Sequence, residues 1–81
     1  MSRTLRSRRH EALRAFLVER RTNAGLTQTE VATRLGEWQS FIARIESGQR
    51  RIDVVELLDL AMAIGFEPRE AIERLLETKP D

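Results

Sequence analysis

The sequence predicts an all-α protein, a compact bundle of five short helices in one domain. Apolar residues recur at intervals of three and four along most of the chain, which is the spacing of one helix face. No stretch alternates apolar and polar residues as a half-buried strand does, and the sequence contains no internal repeat. A length of 81 residues corresponds to one domain, and the short connections favour a compact bundle.

The first predicted helix runs from Arg8 to Ala24. Residues at helical spacing form its inward stripe: Leu13, Phe16, Leu17 and Ala24. Gly25 follows as the residue that ends a helix in the left-handed backbone conformation. Residues 1–7 are polar and basic, so we expect a flexible arm in front of a folded domain that spans residues 8–78.

The second and third helices are short and lie on either side of one glycine turn. Thr27 and Glu30 form a capping box, which predicts a helix over residues 28–35 with Val31, Ala32 and Leu35 facing inward. Gly36 ends that helix, and Glu37 with Trp38 forms the turn. The third helix is predicted from Gln39 to Ser47, with Ile42 and Ile45 inward and Gly48 beyond its end.

The fourth and fifth helices complete the bundle. Asp53 and Glu56 repeat the capping pattern and predict a helix over residues 54–64, which Gly65 ends. Apolar residues surround most of that helix, so we predict that it is the central helix of the core: Leu57, Leu58, Leu60, Ala61 and Ile64. Pro68 suits the first position of a fifth helix that reaches Glu77. Its predicted apolar edge consists of Ile72, Leu75 and Leu76.

Charge is divided unevenly along the chain. Residues 1–27 carry seven Arg and two Glu, whereas residues 53–81 carry eight acidic and three basic residues. A basic front and an acidic back are typical of a module that docks on a polyanion from one side, and an ordinary mixed surface is the alternative. The excess of Arg over Lys suits bidentate contacts to phosphate and guanine, although coding bias would produce the same excess.

Several functional classes are disfavoured by what the sequence lacks. The absence of Cys excludes disulfides, thiolate metal sites and a Cys nucleophile. His10 stands without ligand partners, so we predict a solvated side chain, with a phosphate contact as the alternative. No catalytic set, metal-binding spacing or phosphate loop is present, so we expect no enzyme, cofactor or metal. Apolar stretches fall short of the roughly 20 residues that span a bilayer, and no secretory signal is present, which predicts a cytoplasmic protein without membrane contact.

The stretch over residues 27–47 has the sequence form of a helix-turn-helix, two helices joined by a short turn that contains glycine. The small Ala32 allows the third helix to cross the second closely. Four residues on the opposite side of the third helix form what we call the reading face: Gln39, Ser40, Ala43 and Arg44. Gln pairs with adenine, Arg with guanine, Ser with either or with phosphate, and Ala contacts a thymine methyl group. A helical hairpin with a solvated polar face is the alternative.

These residues resemble the phage repressor/Cro-type family of helix-turn-helix transcriptional regulators, also called the xenobiotic-response-element type. The resemblance covers about residues 13–66 and rests on many spaced positions: Gly25 to Gln28, Val31, Ala32, Leu35, Gly36, Gln39, Ser40, Ile42, Ile45, Glu46 and Gly48. It implies a repressor-like domain of five helices whose third helix enters the major groove, where the reading face meets the base edges. It also implies a partly buried structural ion pair between Arg21 and Glu46 that joins the first and third helices.

The resemblance further implies a set of contacts to the DNA backbone. Gln28 would bind a phosphate with the help of the helix dipole, while Ser47, Arg50 and Arg51 would hold the backbone on the far side. The alternatives are a capping role for Gln28 and a solvated loop at Arg50 and Arg51. The arginines of the N-terminal segment would follow the backbone, enter a minor groove or only solubilise the chain: Arg3, Arg6, Arg8 and Arg9.

Two residues depart from the family pattern. Trp38 stands where the family often has a capping Ser or Thr, and an indole cannot cap. Either its N–H group binds a DNA phosphate or its ring covers the seam between the second and third helices. Phe41 lies between the inward face and the reading face. It either packs on the loop before the fourth helix or contacts a sugar or a thymine methyl group.

The sequence therefore predicts a sequence-specific, DNA-binding transcriptional regulator. We expect a repressor that binds a palindromic operator as a homodimer, since one domain makes few base contacts. The predicted dimer surface is the fifth helix with the corner Ile64-Gly65-Phe66, unless Phe66 belongs to the core. The alternative function is that of an antitoxin-type module, which binds a partner protein (a toxin or another regulator) through residues 67–77 and autoregulates its operon.

Overall fold

The computed structural model describes residues 7–81, which form five α-helices and no strand. The helices are α1 (Arg8–Asn23), α2 (Gln28–Leu35), α3 (Gln39–Glu46), α4 (Val54–Ile64) and α5 (Pro68–Glu77). The predicted all-α fold is confirmed, and α1 and α3 end one residue before their predicted ends because Ala24 and Ser47 are C-caps. No helix within residues 7–81 is long and apolar enough to cross a membrane.

The predicted N-terminal arm falls mostly outside the described residues. Arg3 and Arg6 lie there. Ser7, which the sequence assigned to the arm, instead caps α1: its hydroxyl accepts a hydrogen bond from the backbone N–H of His10 at 3.1 Å. Arg9 packs back onto the domain, since its Nε donates to the carbonyl oxygen of Leu75 at 3.0 Å. Helix α1 itself begins at Arg8, as predicted, with Ser7 as its N-cap.

Local capping signals explain why these segments are helices. At α2 the hydroxyl of Thr27 accepts the N–H of Glu30 at 3.1 Å, and the Glu30 carboxylate accepts the N–H of Thr27 at 2.8 Å. Asp53 and Glu56 form the same reciprocal pair at α4. Gly36 has φ = 71°, a left-handed conformation that any side chain would strain. Two capping boxes and glycine stops therefore set most of the helix boundaries.

The core lies where α1, α2 and α3 meet α4 and α5. Helix α1 packs on α3 and α5, while α2 packs on α3 and α4. Phe16, Val31 and Ile45 are the largest fully buried side chains. The Phe16 ring meets Phe66 edge-to-face, with centroids 5.1 Å apart. Phe66 is therefore a core residue, which was one of the two predicted possibilities.

The prediction that α4 is the central helix of the core holds for four of the five residues named for it, but Leu58 is exposed. Five of its side chains are buried, namely Leu57, Leu60, Ala61, Ala63 and Ile64. Its other side is exposed and is called here the apolar face of α4: Val54, Val55, Leu58 and Met62. The physical reason is that α4 contacts α2 and α5 on one side, and no helix within residues 7–81 covers the other. Three further residues predicted to lie inward are also exposed: Ala24, Ile72 and Leu76.

The uneven charge of the chain does not separate into opposite faces. Basic α1 and acidic α5 pack side by side. Arg20 pairs with Glu70 at 2.7 Å, and Arg74 pairs with Glu19 at 3.2 Å. The basic first segment thus packs against the acidic last segment. The uneven charge along the chain therefore does not by itself support docking on a polyanion from one side. Such exposed pairs each contribute about 0–1 kcal/mol.

His10 is buried, contrary to the predicted solvated side chain. His10 is 8% exposed, and its Nε2 has no hydrogen-bond partner within residues 7–81. Burial lowers the pKa of His10 below its ordinary value of 6.5; Glu11 opposes this shift, whereas Arg14 and Arg51 add to it. The imidazole is consequently held neutral in the fold near neutral pH.

Stability is expected to fall with acidification through His10. Because its folded pKa lies below the unfolded value, its contribution is fully present above pH 6.5 and is lost as the pH falls through the folded pKa. Urea unfolding of the wild type and His10→Leu at about pH 5.5 and about pH 7.5 checks this, since the variant should lose less stability between them. Equal losses in the two proteins would show that His10 does not contribute.

Candidate nucleic-acid interface

Helices α2 and α3 pack against each other around a tight turn. Because Gly36 is left-handed, the backbone N–H of Glu37 can donate a hydrogen bond to the carbonyl oxygen of Ala32, at 2.9 Å. Ala32 is itself buried, and its small side chain permits close packing of α3. Ile42 and Ile45 fix the rear of α3 in the core. The front of α3 is left for contacts outside the domain.

The reading face occupies that front. Gln39, Ser40 and Arg44 are exposed, and Ala43 is half-buried. Arg44 forms no ion pair within residues 7–81, so its guanidinium is available to a ligand. Gln39 differs from the others because its Nε2 donates a hydrogen bond to Oε1 of Gln28 at 2.7 Å. The structure thus brings the four predicted base-reading residues to one short helix.

An ion pair lies directly behind the reading face and joins α1 to α3. Nε of Arg21 lies 2.6 Å from Oε2 of Glu46, and Nη2 lies 3.0 Å from Oε1. The side chains are 14% and 10% exposed, respectively. Arg21 also donates from Nη1 to the carbonyl oxygen of Leu26 at 2.8 Å, and its hydrogen bonds to Glu46 raise its pKa. The pair ties α1 and the loop before α2 to α3.

Gln28 connects that ion pair to the reading face. Its Nε2 donates to Oε1 of Glu46 at 2.8 Å, while its Oε1 accepts from Gln39. The capping role that the sequence left open belongs to Thr27, whose hydroxyl accepts the N–H of Glu30. Gln28 lies at the first position of α2, where a phosphate would also meet free backbone N–H groups.

The two loop arginines, predicted to act together, occupy different environments. Arg50 forms a bidentate pair with Glu56 at 2.9 and 2.8 Å. This pair lowers the pKa of Glu56 and raises that of Arg50. Arg51 is exposed and forms no ion pair within residues 7–81. The Arg50 guanidinium is thus held by Glu56, whereas that of Arg51 is not held by a carboxylate within residues 7–81.

The structure bears differently on the alternatives left open for Phe41 and for Trp38. The Arg50 guanidinium lies over the Phe41 ring, 4.6 Å from its centroid, so Phe41 packs on the loop before α4. Trp38 is the N-cap residue of α3, but its side chain makes no cap hydrogen bond. The indole is 81% exposed and does not cover the seam between α2 and α3. The seam alternative for Trp38 is therefore wrong, whereas the contact with Arg50 supports the packing alternative for Phe41.

Two arginines that the sequence did not single out bind the C-terminal ends of other helices. Arg14 donates from Nη1 to the carbonyl oxygen of Glu46 at 2.9 Å, at the end of α3. Arg34 donates to the carbonyl oxygen of Ala63 at 2.7 Å, at the end of α4, whose last turn contains no basic residue. Positive charge at a helix C-terminus is favourable. The missing basic residue in α4 was a sequence signal, but which arginine supplies the charge depends on tertiary contact.

A helix with an exposed polar front and a rear packed in the core, joined by a tight turn to the helix before it, is the arrangement typical of DNA-binding helix-turn-helix proteins. Residues 17–70 match the family model HTH_3, helix-turn-helix. The chain belongs to this Cro/C1-type family of DNA-binding transcriptional regulators. The predicted family is thereby confirmed.

Known proteins of this family are similar over most of the chain. The sequence is 38% identical over 58 residues to the uncharacterised HTH-type transcriptional regulator y4dJ of Sinorhizobium fredii, covering 72% of this chain and 75% of that protein. An XRE-family-like protein of Pseudomonas syringae pv. tomato has 43% identity and a TM-score of 0.80, covering 84% of this chain and 83% of the other. The restriction-modification controller protein C.AhdI of Aeromonas hydrophila has 37% identity and a TM-score of 0.70, covering 76% and 94%.

Proposed function

We propose that this regulator binds a palindromic operator as a homodimer, with α3 in the major groove, and represses transcription by occupying that site. The observation that carries the proposal is the reading face, which presents Gln39, Ser40 and Arg44 to solvent on a helix fixed from behind by Ile42 and Ile45. Arg reads guanine and Gln reads adenine through two hydrogen bonds each. The fold holds these side chains on a rigid element.

Contacts to the DNA backbone would set the position of α3. Gln28 at the N-terminus of α2, the exposed indole N–H of Trp38, and the hydroxyl of Ser47 are the proposed phosphate ligands on the two sides of α3. Arg51 adds a positive charge from the loop after α3. Arg50 would act indirectly, since its pair with Glu56 holds the loop in which Arg51 lies.

The dimer surface that we propose differs from the one predicted from the sequence. Ile64 and Phe66 are buried, so the corner predicted from the sequence is not available to a partner. The apolar face of α4 is the better surface, because large apolar groups gathered on one exposed side mark an interaction site. Pairing through it would supply a second reading face for the other half of a palindrome.

Replacing Arg44 by Ala tests base reading, and Arg51→Ala is its matched control. A site is first selected from random DNA with the wild type. Arg44→Ala should weaken binding to that site about 5-fold to 100-fold, with a smaller loss on random DNA, because a bidentate base contact is lost. Arg51→Ala should weaken binding to both DNAs alike and reduce the salt slope by about one, as a phosphate contact does.

The two variants separate reading from positioning. An equal loss on both DNAs for Arg44→Ala would make Arg44 a phosphate ligand. An unchanged salt slope for Arg51→Ala would remove it from the interface. Failure of the wild type to select any sequence would contradict the proposed function itself.

A second candidate function is suggested by α5. Ile72 and Leu76 are exposed one helical turn apart, next to acidic Glu73 and Glu77. This surface suits a partner protein with a basic, apolar groove, as the antitoxin alternative requires. Co-expression with the product of an adjacent gene, followed by loss of the complex in Leu76→Glu, would support it; a stable complex in that variant would exclude α5 as the binding surface.

A further inference from the structure

Four polar side chains form a continuous hydrogen-bonded chain from the interior to the reading face, called here the relay. Arg21 of α1 donates to Glu46 of α3 at 2.6 and 3.0 Å. Gln28 of α2 donates to Glu46 at 2.8 Å, and Gln39 of α3 donates to Gln28 at 2.7 Å. The relay begins at a nearly buried ion pair and ends at an exposed amide.

The chemistry of Glu46 fixes the direction of every bond in the relay. An ionised carboxylate only accepts hydrogen bonds, so Gln28 must turn its NH₂ group toward Glu46. The carbonyl oxygen of Gln28 then faces Gln39, which must present its own NH₂ group. One N–H and the carbonyl oxygen of Gln39 remain for a ligand, and the relay fixes which side of the amide carries the donor and which carries the acceptor.

We propose that Glu46 is a positioning residue that sets the base preference of Gln39 through Gln28. The inference rests on the proposed function, in which Gln39 meets a base edge. Adenine offers an N6 donor and an N7 acceptor, and a Gln amide matches them with its oxygen and one N–H. A half-turn of the amide exchanges donor and acceptor and removes that match. The acceptor-only carboxylate disfavours the half-turn because it would place two acceptors, or two donors, against each other in the relay.

The test uses Glu46→Gln in the Arg21→Met background. The substitution keeps the shape of the side chain but supplies both a donor and an acceptor, and Arg21, whose Nη2 donates to the same Oε1 as Gln28, no longer holds an oxygen there. In that double variant the relay can run in either direction, so the order of donor and acceptor on Gln39 is no longer imposed. The position read by Gln39 is first identified as the one whose preference disappears in Gln39→Ala. We expect the wild type to prefer adenine there about tenfold or more. In the double variant the preference should fall to about threefold or less, because both amide orientations become populated.

Arg21→Met alone is the matched control. It breaks the same ion pair and lowers stability, but it leaves the acceptor-only carboxylate against Gln28. A merely structural role for Glu46 predicts equal changes in both variants. The relay predicts that Arg21→Met keeps the adenine preference.

A second variant keeps the inference falsifiable if the double variant fails to fold. Gln28→Leu leaves the Arg21–Glu46 pair intact but cuts the relay, so the adenine preference should fall there too. Retention of the preference in Gln28→Leu or in the double variant would overturn the inference, as would equal loss in Arg21→Met and the double variant. If Gln39→Ala alters no base preference, the inference fails while the proposed function stands. A wild type without any preferred site would instead refute the proposed function.

Discussion

Replacing Glu46 by Ala is expected to lower the free energy of unfolding by about 3 kcal/mol, because it leaves Arg21 charged and unpaired. The Arg21 side chain is 14% exposed and would lose two charge-assisted hydrogen bonds. We expect the lower end of the range known for buried pairs, since the edge of this pair reaches the surface. Urea unfolding followed by helical circular dichroism measures the loss.

Arg69→Ala supplies the control for that measurement. Arg69 pairs with Glu67 at 2.9 Å, but its side chain is 87% exposed, so its removal should cost less than about 1 kcal/mol. Combining Arg21→Met with Glu46→Leu should recover much of the stability, because neither charge is then left in the interior. A loss in Glu46→Ala no larger than that in Arg69→Ala would contradict a structural role for the buried pair.

Placing charges on the apolar face of α4 is expected to dissociate the homodimer. Leu58→Glu with Met62→Glu introduces two carboxylates where Met62 is 86% exposed, so the fold of the monomer should persist. Sedimentation should show a concentration-dependent dimer for the wild type and a monomer for this variant. Affinity for the selected palindrome should fall by about 10²-fold or more, since the two half-sites are no longer bound together.

The control for the dimer experiment is the corresponding change on α5. Ile72→Glu with Leu76→Glu alters the helix that the sequence predicted as the dimer surface. We expect this protein to remain a dimer. Dissociation in the α5 variant combined with a dimeric α4 variant would show that the sequence was right and the apolar face of α4 is not the interface. A strictly monomeric wild type would contradict the homodimer.

Much of the architecture follows from interactions between residues close in sequence. The capping boxes at Thr27 and Asp53 and the left-handed Gly36 act within a few residues, so the sequence placed every helix start correctly. The two ends that were one residue too long lie at C-caps, where Ala24 and Ser47 are still in the helical region of the backbone. The spacing of Ile42 and Ile45 likewise separated the inner side of α3 from its reading face.

Burial and pairing were less predictable, because they depend on which helices meet. Leu58 and Leu57 are the same residue type in one apolar run, yet α2 and α5 cover one side of α4 and leave the other exposed. His10 was predicted to be solvated because it lies near the N-terminus without ligand partners, and its burial arises only from the packing of the helices. Arg50 and Arg51 are adjacent, but only Arg50 lies where it reaches Glu56 and the ring of Phe41.

The sequence by itself determined the five helices, the helix-turn-helix and the four residues of the reading face, because caps, glycines and helical periodicity act over three or four positions. The tertiary structure decided which charges are paired and which apolar residues are exposed. It also decided that Gln39 is held by Gln28 and Glu46, since three helices must pack before those amide and carboxylate groups meet. Hydrogen bonds depend on distance and direction in space, and residues far apart in the chain gain both only when the fold has formed.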